Sequence, residues 1–187
     1  MRIDYNDGMT KYFCSFLLLL ALAAAPLHAG DVTLFGGFQH PGDITLGSVG
    51  EIPDTAAQIT DPKDFGLFGV RFNRSSAPIG VEHTLAYSPN FIDSEANAFI
   101  QSTNLIVGVP ALPVRPYGTA GIGFIHAGGD GPASVGTKFA FNYGGGVKIS
   151  AIGPLGFRLD VRGYSILGVE SQTLNVLETS VGILFGF

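Results

Sequence analysis

The sequence predicts an all-β fold, an eight-stranded antiparallel up-and-down transmembrane β-barrel preceded by a signal peptide. Three observations carry that expectation. The chain is 46% hydrophobic and only 13% charged, with a mean hydropathy of +0.35. Yet beyond residue 25 no apolar run approaches the roughly 18 residues of a spanning helix. Backbone polar groups in lipid must be satisfied internally, so an apolar chain without a helical span points to a closed barrel. From Gly30 onward, apolar residues alternate with polar or small ones at period two, the signature of strands with unlike faces. The connections between these segments alternate long and short, as outer-membrane barrels do with their extracellular loops and periplasmic turns.

The first element is the leader. Lys11 precedes an apolar run from Phe16 to Ala25, Pro26 breaks it, and Leu27-His28-Ala29 supplies a small residue at the cleavage position. This is the pattern of a secretory signal peptide over residues 1–29, with the mature barrel covering 30–187. Asp4 and Asp7 do not suit a positive n-region, whereas Met9-Thr10-Lys11 does, so translation is expected from Met9. Cys14, the single cysteine, lies inside this leader, which leaves the mature chain without a thiol, a disulfide or a lipid anchor.

Eight strand segments follow, at about 31–39, 65–73, 79–87, 98–109, 115–125, 138–149, 155–164 and 174–187. Long connections are expected at 40–64, 88–97, 126–137 and 165–173, and short ones at 74–78, 110–114 and 150–154. The alternative is a ten-stranded ring in which part of 40–64 also pairs. In the last segment Leu177, Thr179, Val181, Ile183, Phe185 and Phe187 share one face, which suits lipid. In the seventh, Phe157, Leu159 and Val161 alternate with Arg158, Asp160 and Arg162, so one face must be polar and enclosed.

An eight-stranded barrel has an interior just wide enough for side chains to fill. The alternation turns Arg71, Glu82, Tyr117, Asn142, Lys148, Arg158, Asp160, Arg162, Tyr164 and Glu178 inward. An isolated charge there would cost several kcal/mol, so a lumen ion-pair network of Arg71, Glu82, Lys148, Arg158, Asp160, Arg162 and Glu178 is expected. Strand direction pairs Glu82 with Arg71 or Arg158, and Glu178 with Arg162. The inward Gly121, Gly123, Gly144 and Gly146 leave room beside the long arginines of the seventh strand.

Other chemistry finds little support. Fifteen acidic against ten basic residues give a net charge of −5, so no basic surface exists for nucleic acid. Gly118-x-x-Gly121-x-Gly123 has the wrong spacing for a dinucleotide fingerprint, and Gly144-Gly145-Gly146-Val147-Lys148 lacks the P-loop ending. His83 falls on the lipid face without a serine beside it, and His40 and His126 lie at strand tops near Asp43 and Asp130 without metal-ligand spacing. No catalytic, cofactor or metal site is therefore assigned. The predicted loops carry Asp43, Glu51, Asp54, Asp61, Asp64, Asp93, Glu95, Asp130 and Glu170 against Lys63 alone, a surface suited to divalent cations that bridge to lipopolysaccharide or to a cationic partner.

Asn104-Leu105 ahead of Pro110, then Arg115-Pro116-Tyr117-Gly118-Thr119-Ala120-Gly121-Ile122-Gly123, Asn142-Tyr143-Gly144-Gly145-Gly146-Val147-Lys148 and Arg158-Leu159-Asp160-Val161-Arg162, taken in order, resemble the small eight-stranded outer-membrane barrels of the OmpA-type and opacity-protein superfamily. Phe187, with Phe185 and Ile183 before it on the same face, is similar to the signal that the barrel-assembly machinery of such proteins recognises. The resemblance covers the mature chain and stops at the last strand, so the peptidoglycan-binding domain of full-length OmpA-type proteins is not implied. It implies a monomer in a Gram-negative outer membrane, in contact with membrane lipid and lipopolysaccharide, with a structural or surface-interaction role and no cofactor. A narrow ion or small-solute channel and a lipid A-modifying enzyme are the alternatives.

Overall fold

The computed structural model describes residues 30–42, 64–76, 78–91, 96–109, 113–129, 136–169 and 172–187. The expected leader, its start at Met9 and Cys14 lie outside these residues, as does most of the connection 40–64. The strands are β1 (Gly30–Pro41), β2 (Phe65–Ser76), β3 (Ile79–Pro89), β4 (Ala96–Gly108), β5 (Val114–Gly129), β6 (Gly136–Ser150), β7 (Leu155–Val169) and β8 (Gln172–Gly186). Each pairs antiparallel with its sequence neighbour, and β8 pairs with β1, closing the ring in the order β1 to β8. Closure removes the edge strands that lipid could not satisfy. At the seam, Gly30, the first residue of β1, and Phe187, just past β8, exchange two backbone hydrogen bonds of 3.0 Å.

The register fixes the geometry. Pairing followed from Asp31 through Asn73, Glu82, Asn104, Gly121, Asn142, Tyr164 and Val176 returns to β1 at Pro41, ten residues above its start. A closed sheet with such a stagger has strands tilted by roughly 35–45°. The two faces then separate cleanly. On β8, Leu177, Val181, Ile183 and Phe185 are exposed, while Val176, Glu178, Ser180 and Leu184 are buried. Phe38, Phe68, Tyr87, Phe99, Phe124 and Phe141 belong to the same outward apolar wall.

The strands run further than the alternation suggests at one end of the barrel. β5 continues to Gly129 and β7 to Val169, so the connection expected at 165–173 is almost entirely strand. Backbone pairing persists there through Gly128, Gly129, Gly136 and the β-bulge between Leu167 and Val169. Small or polar side chains at these positions erase the period-two signal without interrupting the hydrogen-bond ladder.

Candidate functional site

The lumen has two storeys. In the one nearer the short turns, β7 presents Arg158, Asp160 and Arg162 at successive inward positions, because inward residues recur at every second place along a strand. Asp160 is the hub. It accepts from Arg71 Nη1 at 2.8 Å, from Arg158 Nε at 2.8 Å and from Arg162 Nη2 at 3.0 Å, and the Tyr117 hydroxyl also donates to it. Glu82 joins two arginines, accepting from Arg158 Nη1 at 2.5 Å and from Arg162 Nη2 at 2.7 Å. Glu178 accepts from Arg71, from the Tyr164 hydroxyl at 2.9 Å and from Ser180 Oγ at 2.8 Å. The Arg71 guanidinium also stacks 3.7 Å above the Phe35 ring.

All six charged groups of this cluster are buried to 2% exposure or less. Three arginines meet three carboxylates, so the cluster is neutral as a unit, and no cation or anion in it is left without a counter-charge. Arginine suits this role because its planar fork reaches two carboxylates at once. Room for the guanidinium stems comes from glycine. Gly144 pairs with Arg162 and Gly146 with Asp160. A Cβ on Gly146 would sit 2.8 Å from the Tyr117 ring.

Lys148 stands apart from the cluster. It pairs with Asp31, Nζ to Oδ2 at 2.6 Å, and Asn73 donates to the same oxygen at 3.1 Å. Asp31 is the functional residue that sequence reasoning missed. The signal was present: the inward set held four cations against three acids, and the alternation of the first segment from residue 31 turns Asp31 inward with Thr33 and Phe35.

The pairing differs from expectation at Glu178. Arg162 lies directly opposite Glu178 in the β7–β8 register, but its hydrogen bonds go to Glu82 and Asp160. The oxygens of Glu178 are taken by Arg71, Tyr164 and Ser180. A long arginine reaches across the lumen in an extended form more readily than it folds onto its cross-strand neighbour. Glu82 meets Arg158, one of its two expected partners, together with Arg162.

Above the charges lies an apolar storey that the sequence analysis did not assign. Phe65, Leu67, Phe91, Ala98, Ile100, Ile125, Ile166, Leu174 and Val176 form one buried cluster. Phe65 and Phe91 meet edge to face at 5.1 Å near its top. Charged and apolar layers together block the lumen above its mouth at the short turns.

Glu82, Asp160 and Glu178 are held by guanidinium groups, and Asp31 by the Lys148 ammonium. His83 points outward and bonds Thr103 Oγ1 at 3.0 Å, His126 bonds Thr137 Oγ1 at 2.8 Å, and His40 pairs with Asp64. Among the described residues no group of three or more His, Cys, Asp or Glu side chains is positioned to hold a metal ion. Asp43 and Asp130 lie outside the described residues. On the outer surface, Ile183, Phe185 and Phe187 form the lipid-facing end of the β8 row.

Solved structures share this architecture. Neisserial surface protein A superposes with a TM-score of 0.66 at 13% identity, covering 85% of this chain and 99% of that one. The N-terminal β-barrel domain of OprF from Pseudomonas aeruginosa gives a TM-score of 0.53 at 16% identity, covering 85% of this chain and 97% of that one. At these identities the likeness establishes the fold. No curated protein matches the sequence significantly. The family model for the outer membrane protein beta-barrel domain matches residues 15–184, and with the closed ring of eight strands this places the chain in that family, as an outer-membrane protein of Gram-negative type.

Proposed function

We propose that this protein is a non-conducting, non-catalytic barrel that acts through its outer surface, as a structural component of the outer membrane and as a platform for extracellular contacts. The observation that carries this reading is the blocked lumen: a neutral cluster of three arginines and three carboxylates beneath an apolar layer. Solute passage would require breaking ion pairs buried at 0–1% side-chain exposure. Breaking one such pair leaves an uncompensated buried charge worth about 3–5 kcal/mol. In planar bilayers the purified, folded protein is expected to stay silent. Steady, ion-selective conductance would overturn the reading in favour of a narrow channel.

The same proposal covers partners. The outward wall of Phe38, Phe68, Tyr87 and Phe99 suits membrane lipid around a monomer. The predicted connections carry nine acids against Lys63 alone, a surface on which divalent cations would bridge to lipopolysaccharide phosphates. The row Ile183, Phe185 and Phe187 is proposed as the handle for the barrel-assembly machinery. Phe187→Ala should lower the amount of heat-modifiable barrel in outer membranes, and unchanged levels would remove that role. Lipid A from cells expressing the protein should have unaltered mass, since a shifted lipid A mass would revive the enzyme reading.

A further inference from the structure

Where the lumen opens beside the short turns, below the charge cluster, lies a cavity of about 110 Å³ bounded by β1, β2, β4, β5 and β6. Water occupies about 30 Å³ per molecule in the liquid, so this space holds about three or four waters or one small organic ion. Its walls carry Asp31, Asn73 and Lys148, at 6%, 5% and 6% exposure, together with Ser75, Arg115 and Ile106. Three of the buried polar atoms here have no partner among the described residues: Asp31 Oδ1, Asn73 Oδ1 and Arg115 Nε. Two are acceptors and one is a donor.

We propose that this mouth is a binding site for a small zwitterion of the amino-acid class, bearing an ammonium and a carboxylate a few ångströms apart. The ammonium donates to Asp31 Oδ1 and Asn73 Oδ1, and the carboxylate accepts from Arg115 and Lys148. The donor set favours this chemistry over a simple anion or cation. A simple anion would face two lone oxygen acceptors on its Asp31–Asn73 side. A simple cation would face Arg115 and Lys148, which with Asp31 leave the site at a net charge of +1. A ligand carrying both signs reaches all three orphaned atoms with one molecule and displaces the several waters that would otherwise have to pair them. The charge cluster forms the roof, since Tyr117 borders the cavity and also bonds Arg158 and Asp160. The site is therefore a dead-end receptor open to the side of the short turns, not the start of a passage.

The test uses the full barrel refolded in detergent micelles, where this mouth is accessible, with side-chain amide and backbone NMR shifts read during titration. Glycine should produce saturable shifts at Asn73 and Lys148. Acetate and methylammonium, each carrying half the ligand, should bind at least about tenfold more weakly, the factor expected from losing charge-assisted hydrogen bonds. Asn73→Leu should weaken glycine binding by a similar factor, and Arg115→Gln, near the rim, provides a second variant should the first fail to fold. The proposal is overturned if glycine gives no saturable shift, if acetate matches glycine, or if a folded Arg115→Gln barrel binds glycine unchanged.

Discussion

Asp160 is a short side chain surrounded by three guanidinium groups and a phenol. Its charge is what makes their convergence tolerable, because the arginines otherwise repel one another at full burial. Asp160→Asn keeps the shape and removes the charge, leaving the three arginines with Glu82 and Glu178 alone. The variant should lose about 3–5 kcal/mol of stability, measured by urea titration after folding into lipid vesicles. An effect below about 1 kcal/mol, typical of a surface pair, would show that the hub is not buried as described. Most of this cluster was legible from residue order, because Arg158, Asp160 and Arg162 recur on one face without interruption. Partner choice was not. Register places Glu178 opposite Arg162, whereas the reach of a guanidinium is set by the width of the lumen, which no local pattern records. Asp31 escaped notice for another reason: a lone acid at the start of a segment has no repeat to announce it.

The middles of the strands were readable because lipid and lumen impose opposite demands on alternate residues, as in Phe157 to Arg162. Strand ends were not. His126-Ala127-Gly128-Gly129 carries no amphipathic signal, yet it pairs with β4 throughout and with β6 as far as Ala127. The apolar storey was hidden for a related reason, since Phe65-Gly66-Leu67-Phe68 is apolar on both faces and cannot reveal which one is enclosed. Glycines in β6 show a constraint that acts between elements. The β5–β6–β7 wall comes so close at Gly146 that a Cβ would press on Tyr117, and Tyr117 is pinned by Asp160 and Arg158. Gly146→Val should therefore cost at least about 1–3 kcal/mol, the usual penalty for overpacking. It should also slow refolding, followed by the gel shift between folded and heated protein. Wild-type stability in that variant would mean that the strands can part without loss.

At the scale of the whole molecule, the stagger of ten residues around eight strands ties the height of every side chain to its strand, and so fixes which residues meet inside. The heights so fixed bring three arginines to three carboxylates and Lys148 to Asp31. The ring itself has no privileged starting point. Gly30 and Phe187 lie side by side, joined by two backbone hydrogen bonds of 3.0 Å, in the arrangement that flanks a tight hairpin. In a chain expressed from Gly30, a two-residue Asn-Gly turn, whose twist matches antiparallel neighbours, could join them covalently, and the chain could be cut instead within 43–63. Such a circular permutant should refold into vesicles with the same heat-modifiability as the original order. Its success would make β1 and β8 an ordinary hairpin, and would turn this barrel into a scaffold whose free ends can be moved to the opposite membrane face.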